Sequence, residues 1–160
     1  MRFLNLVSLN RYSSKMDKKM HIVFDMDNTL VDEFGRSTRP GMKALLQTLK
    51  KRNTLSIFTT STKARARKIL RDHNLLEIFA HVICREDYAP NENDSLLKDI
   101  RIIKGDVLVD DDPKQVRHMK KLGKRGVQVS AFRHGKLCPE NELNIIKNQL
   151  KSSWWNRLIL

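Results

Sequence analysis

Residues 21–33 read HIVFDMDNTLVDE. Ile22, Val23 and Phe24 make a buried-strand run, and Asp25 and Asp27 follow at its end. Two acids two residues apart on a strand point to one side and repel each other. Gathering them is costly unless a cation answers their charge. Two more apolar runs end in the same way. LSIFTTS ends in Thr59, Thr60 and Ser61, and DVLVDDDP ends in Asp110, Asp111 and Asp112. If these runs are neighbouring strands, acids and hydroxyls converge on one edge. Hard oxygen ligands with room for water suit Mg²⁺. Such an ion also screens an arriving phosphate. The hydroxyls of Thr59 and Thr60, with a lysine, would hold the phosphoryl oxygens. One carboxylate is then placed to attack phosphorus and form an aspartyl-phosphate. The second would protonate the leaving oxygen and later activate water.

The elements that must position these groups follow a regular punctuation. Strands are expected at 21–27, 55–60, 81–86, 106–110 and 127–132. Helices are expected at 39–53, where Met42, Leu45, Leu46 and Leu49 fall at helical spacing, and at 63–74. A short helix is expected at 95–100 and another helix at 113–126, which opens on Pro113. DYAPNEND reads as a loop, and a C-terminal helix is expected at about 140–158. Short apolar strands alternating with charged helices give an α/β fold: a central five-stranded parallel sheet with helices on both faces. Functional groups in such sheets gather outside the carboxyl ends of the strands.

DMDNT, the run ending FTTS and the run VLVDDDP resemble the first, second and fourth motifs of the haloacid dehalogenase superfamily of phosphohydrolases. The resemblance spans roughly residues 20–135. It implies a Rossmann-like fold and Mg²⁺-dependent hydrolysis of phosphate monoesters. It implies that Asp25 is the nucleophile and a metal ligand. Asp27 would be the general acid/base, with its carbonyl on the metal. Thr59 would bind the phosphoryl group, and Asp110 and Asp111 the metal. Asp112 reads instead as an acid capping the helix at Pro113. The third motif needs a lysine. Lys98 in LLKDI is the first choice, and Lys104, in the turn before the fourth strand, is the alternative.

Many members of this superfamily carry a cap domain. Only about thirty residues lie between Thr29 and Thr59, and about forty between Thr59 and Lys98, too few for an added folded unit. An uncapped site admits a macromolecular phosphoester. RPG, FTTS and LLKDI resemble the phosphatases acting on the C-terminal domain of RNA polymerase II. This chain differs from them in having Asn28 where they carry Glu. It has only FGRST where they carry an insertion that forms a phosphopeptide groove. The layout also resembles small magnesium-dependent phosphatases.

The 160 residues suit one domain, with a net charge of +13 that favours anionic partners. A phosphoprotein is the first expected substrate. A nucleotide or nucleic-acid end is the second, and a catalytically silent binding module for an anionic partner is the reading from another class. Asn28, Lys63 and Arg65 are candidate substrate contacts. The basic helices around Arg67 and Lys120 would otherwise be solvated faces. Two cysteines, Cys84 and Cys138, are too few for a disulfide scaffold and favour a reducing cytoplasm or nucleus. Cys138 and His134 lack a second pair that would complete a zinc site. The leader, residues 1–19, is basic and free of acids up to Lys15, which suits disorder or mitochondrial targeting. At the other end, Leu143, Ile146, Leu150, Trp154 and Leu158 form a helical stripe for docking on the sheet. Trp154 and Trp155 would alternatively meet a partner or membrane.

Overall fold

A computed structural model describes residues 19–139 and 141–151. The leader up to residue 18, and Trp154, Trp155 and Leu158, lie outside them. Five strands form one parallel sheet: β1 His21–Phe24, β2 Thr54–Phe58, β3 His81–Ile83, β4 Val107–Asp110 and β5 Arg125–Gln128. Their order is β3-β2-β1-β4-β5. The chain winds outward from β1 through β2 to β3, then crosses to β4 and β5 on the other side. The reversal leaves a crevice at the carboxyl ends of β1 and β4, where ligands bind in open sheets of this kind.

Side chains alternate across the sheet with period two. Ile22, Phe24, Leu55, Ile57, Val107 and Val109 face a large cluster with Met42, Leu45 and Leu46 of α1 (Met42–Lys50), Ile69 and Leu70 of α2 (Lys63–Asp72), and Ile146 and Leu150 of α5 (Glu142–Lys151). Val23, Phe58 and Leu108 face a smaller cluster with Ile100 and with Met119 of α4 (Pro113–Lys121). Helices therefore cover both faces, and among the described residues no cap stands over the strand ends. Truncating a fully buried leucine such as Leu46 to alanine would cost about 2–5 kcal/mol. No helix among the described residues is long and apolar enough to cross a membrane.

Several element bounds differ from expectation by a few residues, and the larger departures have local reasons. The helix expected from Arg39 starts at Met42, because Gly41 takes a left-handed φ of 73° at its N-cap. The strand expected over 81–86 stops at Ile83. The amide of Cys84 is taken by Asp87 Oδ2 at 2.9 Å, which opens the short helix α3, Arg85–Tyr88. The short helix expected at 95–100 is absent: its residues up to Asp99 are irregular, and a 3-10 turn follows over Ile100–Ile103. The strand expected over 127–132 begins at Arg125 instead, because the preceding helix ends at Lys121 and Gly123 turns the chain with a φ of 66°. Gly126 suits this earlier strand, since a Cβ there would sit 2.8 Å from the Val116 carbonyl of α4.

Candidate active site

Parallel register sets the acids side by side. Phe24 pairs with Val109, so the next residues, Asp25 and Asp110, end neighbouring strands. Asp25 N–H extends the ladder by donating to the Val109 carbonyl at 2.9 Å. Both acids continue the alternation of Val23 and Leu108 and so lie on the α4 face. On the other side of β1, Thr59 is anchored by its N–H to the Ile83 carbonyl at 2.9 Å, and its buried Oγ1 accepts from Ser61 N–H at 3.1 Å. Thr60 is exposed beside it.

Lys98 joins the two acids. Its Nζ lies 2.5 Å from Asp25 Oδ1 and 2.6 Å from Asp110 Oδ2, and its side chain is only 2% exposed. Lys104, by contrast, sits in a left-handed turn ahead of β4, at the opposite end of the sheet. Because residues 95–99 are irregular, Lys98 has no helix or strand of its own to hold it. Gln115 of α4 takes that part: Oε1 accepts from Lys98 N–H at 3.0 Å, and Nε2 donates to the Leu96 carbonyl at 3.0 Å.

The loop after β1 turns tightly. Leu30 and Val31 N–H both donate to the Met26 carbonyl, and Asn28 adopts a φ of 60°, which asparagine tolerates. This brings Thr29 back to Asp111. Thr29 Oγ1 donates to Asp111 Oδ1 at 3.2 Å and accepts from the Asp111 N–H at 3.1 Å. Asp112 caps α4 through Lys114 N–H, as its place before Pro113 leads one to expect.

Asp27 is engaged by Ser61 Oγ at 2.7 Å and by Arg65 Nη1 at 2.8 Å, both on Oδ2. Its Oδ1 also lies 2.7 Å from the guanidinium, but at an angle that makes no hydrogen bond. Arg65 further reaches the Glu33 carbonyl at 3.1 Å. Lys63 pairs with Asp87 of α3 at 2.7 Å.

Charge balance decides what this edge can hold. Asp25, Asp110 and Asp111 each offer an oxygen, all within 4.8 Å of one another, and Lys98 supplies one ammonium against three carboxylates. Burial is the largest influence on Asp25 and pushes its pKa up to about 7. Lys98 opposes the shift, while Asp110 and Asp111 add to it. Asp111 is raised as well, by burial and then by Asp110. Burial works against the Lys98 ammonium, but the Asp25 and Asp110 carboxylates outweigh it and hold the lysine above its ordinary range. Excess negative charge and all-oxygen donors fit a hard divalent ion. Three buried side-chain oxygens here lack a hydrogen-bond partner among the described residues: Asp27 Oδ1, Asn28 Oδ1 and the Tyr88 hydroxyl. Tyr88 stands edge-on to Phe58, with centroids 4.7 Å apart, and burial raises its pKa.

Two residues that hold the site are not among the site residues expected from the sequence, although one of them opens the RPG run. One is Gln115. The other is Arg39, 1% exposed, which donates to the carbonyls of Thr29 (2.8 Å), Asn28 (2.9 Å) and Ser130 (2.6 Å). It thereby ties the loop after β1 to the segment after β5. Cys138 stands 3.5 Å from the same guanidinium, and His134 lies 3.5 Å from Asp32.

The model of the NLI interacting factor-like phosphatase family matches residues 20–153. No curated protein matches the chain significantly. Among solved structures, it is similar to a haloacid dehalogenase-like family hydrolase from Streptococcus pneumoniae. The two share 13% identity at a TM-score of 0.58, over 79% of this chain and 90% of that one. A haloacid dehalogenase superfamily hydrolase of subfamily IA from Geobacter sulfurreducens matches at 15% identity and a TM-score of 0.60, over 81% and 99%. The fission yeast RNA polymerase II CTD phosphatase Fcp1, bound to beryllium fluoride, matches at 16% identity and a TM-score of 0.57, over 85% of this chain and 50% of that one. At these identities the likeness is one of fold.

Proposed function

Since this chain belongs to the NLI interacting factor-like phosphatases and has a haloacid dehalogenase-type fold, we propose that it hydrolyses phosphate monoesters on a phosphoprotein, with Mg²⁺, through an aspartyl-phosphate. The observation that carries the reading is the Asp25–Lys98–Asp110 contact beside Asp111. Mg²⁺ held by Asp25, Asp110, Asp111 and the Asp27 carbonyl would keep the buried carboxylates ionised and neutralise charge on the phosphoryl group.

Asp25 supplies the attacking oxygen. The phosphorus–oxygen bond to the leaving group breaks as the bond to Asp25 forms, and Asp27 gives its proton to the leaving oxygen. Water then attacks phosphorus, Asp27 takes its proton, and phosphate departs with Asp25 restored. Thr59 and Thr60, with Lys98, hold the equatorial oxygens. The Lys98 ammonium is already anchored by two carboxylates, so little reorganisation is needed when the phosphoryl group arrives. Arg65 and Asn28 contact the substrate at the mouth, and the ion pair between Arg65 and Asp27 couples that contact to the proton-transfer group.

The open edge supports a macromolecular substrate, as does the fold likeness to a phosphatase named for the C-terminal domain of RNA polymerase II. Both cysteines are free, which supports a reducing intracellular setting. The net charge of +13 favours a phosphorylated nucleic-acid end as the second reading. Comparing turnover of phosphopeptides, 5′-phosphorylated oligonucleotides and nucleotides separates the two. The proposal expects the highest kcat/KM on peptides. Efficient turnover of oligonucleotides alone would replace it, and salt-sensitive oligonucleotide binding without any turnover would indicate a binding module.

A further inference from the structure

Residues 32–37, in the loop after β1, are held at many points for a short loop. Asp32 is fully buried: its Oδ1 accepts from Phe34 and Arg36 N–H, both at 2.9 Å, and its Oδ2 from Ser37 N–H at 2.8 Å. Gly35 turns with a φ of 69°, and a Cβ there would fall 2.4 Å from Ile69 of α2. His73 Nε2 lies 2.8 Å from the Gly35 carbonyl. Arg65 binds the Glu33 carbonyl while it pairs with Asp27.

A loop fixed at these points leaves its apolar side chain outside. Phe34 is 57% exposed, and it is the one exposed Phe, Tyr or Trp among the described residues. The Arg36 guanidinium lies 5.0 Å from its ring centroid, and His134 meets it edge-on at 6.1 Å. His134 N–H also donates to Glu33 Oε2 at 2.9 Å, which joins the loop to the segment carrying exposed Arg133. The platform is thus aromatic and cationic, and one side chain, Arg65, connects it to Asp27.

Resting on the phosphatase reading above, we infer that Phe34 and Arg36 dock the peptide that flanks the phosphorylated residue. An apolar or aromatic side chain packs on Phe34, and a carboxylate or second phosphate pairs with Arg36 and Arg133. A lone ring favours a side chain over a run of bases, because single-stranded nucleic acids are read by successive aromatic platforms. Preorganisation of the loop through Asp32 and Gly35 lowers the ordering cost of docking.

The test uses wild type, Phe34→Ala and Arg36→Ala with four probes. They are p-nitrophenyl phosphate, a phosphopeptide with Leu and Glu beside the phosphorylated residue, the same peptide with Ala at both places, and a 5′-phosphorylated oligonucleotide. Wild type is expected to prefer the Leu/Glu peptide by about ten-fold in kcat/KM. Phe34→Ala should erase most of that preference, with aryl phosphate turnover within about two-fold of wild type and an unchanged thermal midpoint. Arg36→Ala should lose about three-fold, and the loss should fade with salt. An unchanged peptide preference in both variants, or a loss confined to the oligonucleotide, would overturn the inference. If no probe is hydrolysed, the phosphatase reading fails by itself, and fluorescence anisotropy of the two peptides decides for the platform. Affinity that depends on Phe34 upholds it, and equal affinity in wild type and Phe34→Ala rejects it.

Discussion

Lys98 Nζ bridges Asp25 Oδ1 at 2.5 Å and Asp110 Oδ2 at 2.6 Å, so one ammonium closes the gap between the ends of β1 and β4. Removing it leaves two buried carboxylates facing each other. Lys98→Ala should therefore destabilise the fold by about 3–5 kcal/mol and lower turnover at least about a thousand-fold. Lys104→Ala, at the far end of the sheet, should stay within about 0.5 kcal/mol of wild type and keep its activity. Urea denaturation and aryl phosphate hydrolysis read both effects. Loss of turnover in the Lys104 variant alone would move the phosphate-binding lysine.

Gln115 holds the irregular segment that carries Lys98. Gln115→Leu leaves the Lys98 N–H and the Leu96 carbonyl unpaired, at a cost of about 1–3 kcal/mol. Turnover should fall about ten-fold or more as the lysine loses its position, with less change in KM. Full kcat in a folded Gln115→Leu protein would show that Lys98 is positioned without this clamp.

Metal dependence is readable apart from activity. Saturating Mg²⁺ should stabilise wild type by about 2–3 kcal/mol at a hundred-fold excess over Kd, seen as a rise in thermal midpoint. Asp110→Asn should lose that rise, since Asp110 belongs to the oxygen trio. An equal rise in the variant would place the ion elsewhere.

Asp32 gives a pH prediction away from the acids of the site. Burial opposes its ionisation, but hydrogen bonds from Arg36, Ser37 and Phe34 win and bring its pKa down to about 2, against an ordinary 3.8. A depressed folded pKa means stability fully present above about pH 4 and lost as pH falls through about 2, with a size of about 2 kcal/mol. Urea midpoints of wild type and Asp32→Asn measured from pH 6 to pH 2 should converge at the acid end. A gap that stays constant across that range would contradict the assignment.

Much of this was readable because the fold delivers its chemistry at strand ends. Asp25, Thr59 and Asp110 each follow an apolar run, so their convergence follows from parallel strands alone. Lys98 was readable only through a motif, and the segment around it is irregular rather than helical, with its amide held by Gln115, 17 residues on. Arg39 was visible only as the start of the RPG run, and its role was not legible. It donates to backbone carbonyls as far as 91 residues away, and no side-chain pattern encodes those. The Phe34 platform was hidden for a similar reason: a buried Asp32 that fixes a loop looks in sequence like any loop acid.

The central claim is that Asp25 carries the phosphoryl group. Turnover of an aryl phosphate with Mg²⁺ should be quenched in acid, reduced with borohydride and mapped by peptide mass. Aspartyl-phosphate reduces to homoserine, so the account predicts homoserine at position 25 in wild type and none in Asp25→Asn, which should also be inactive. Homoserine at another carboxylate, or undiminished turnover by Asp25→Asn, would contradict it.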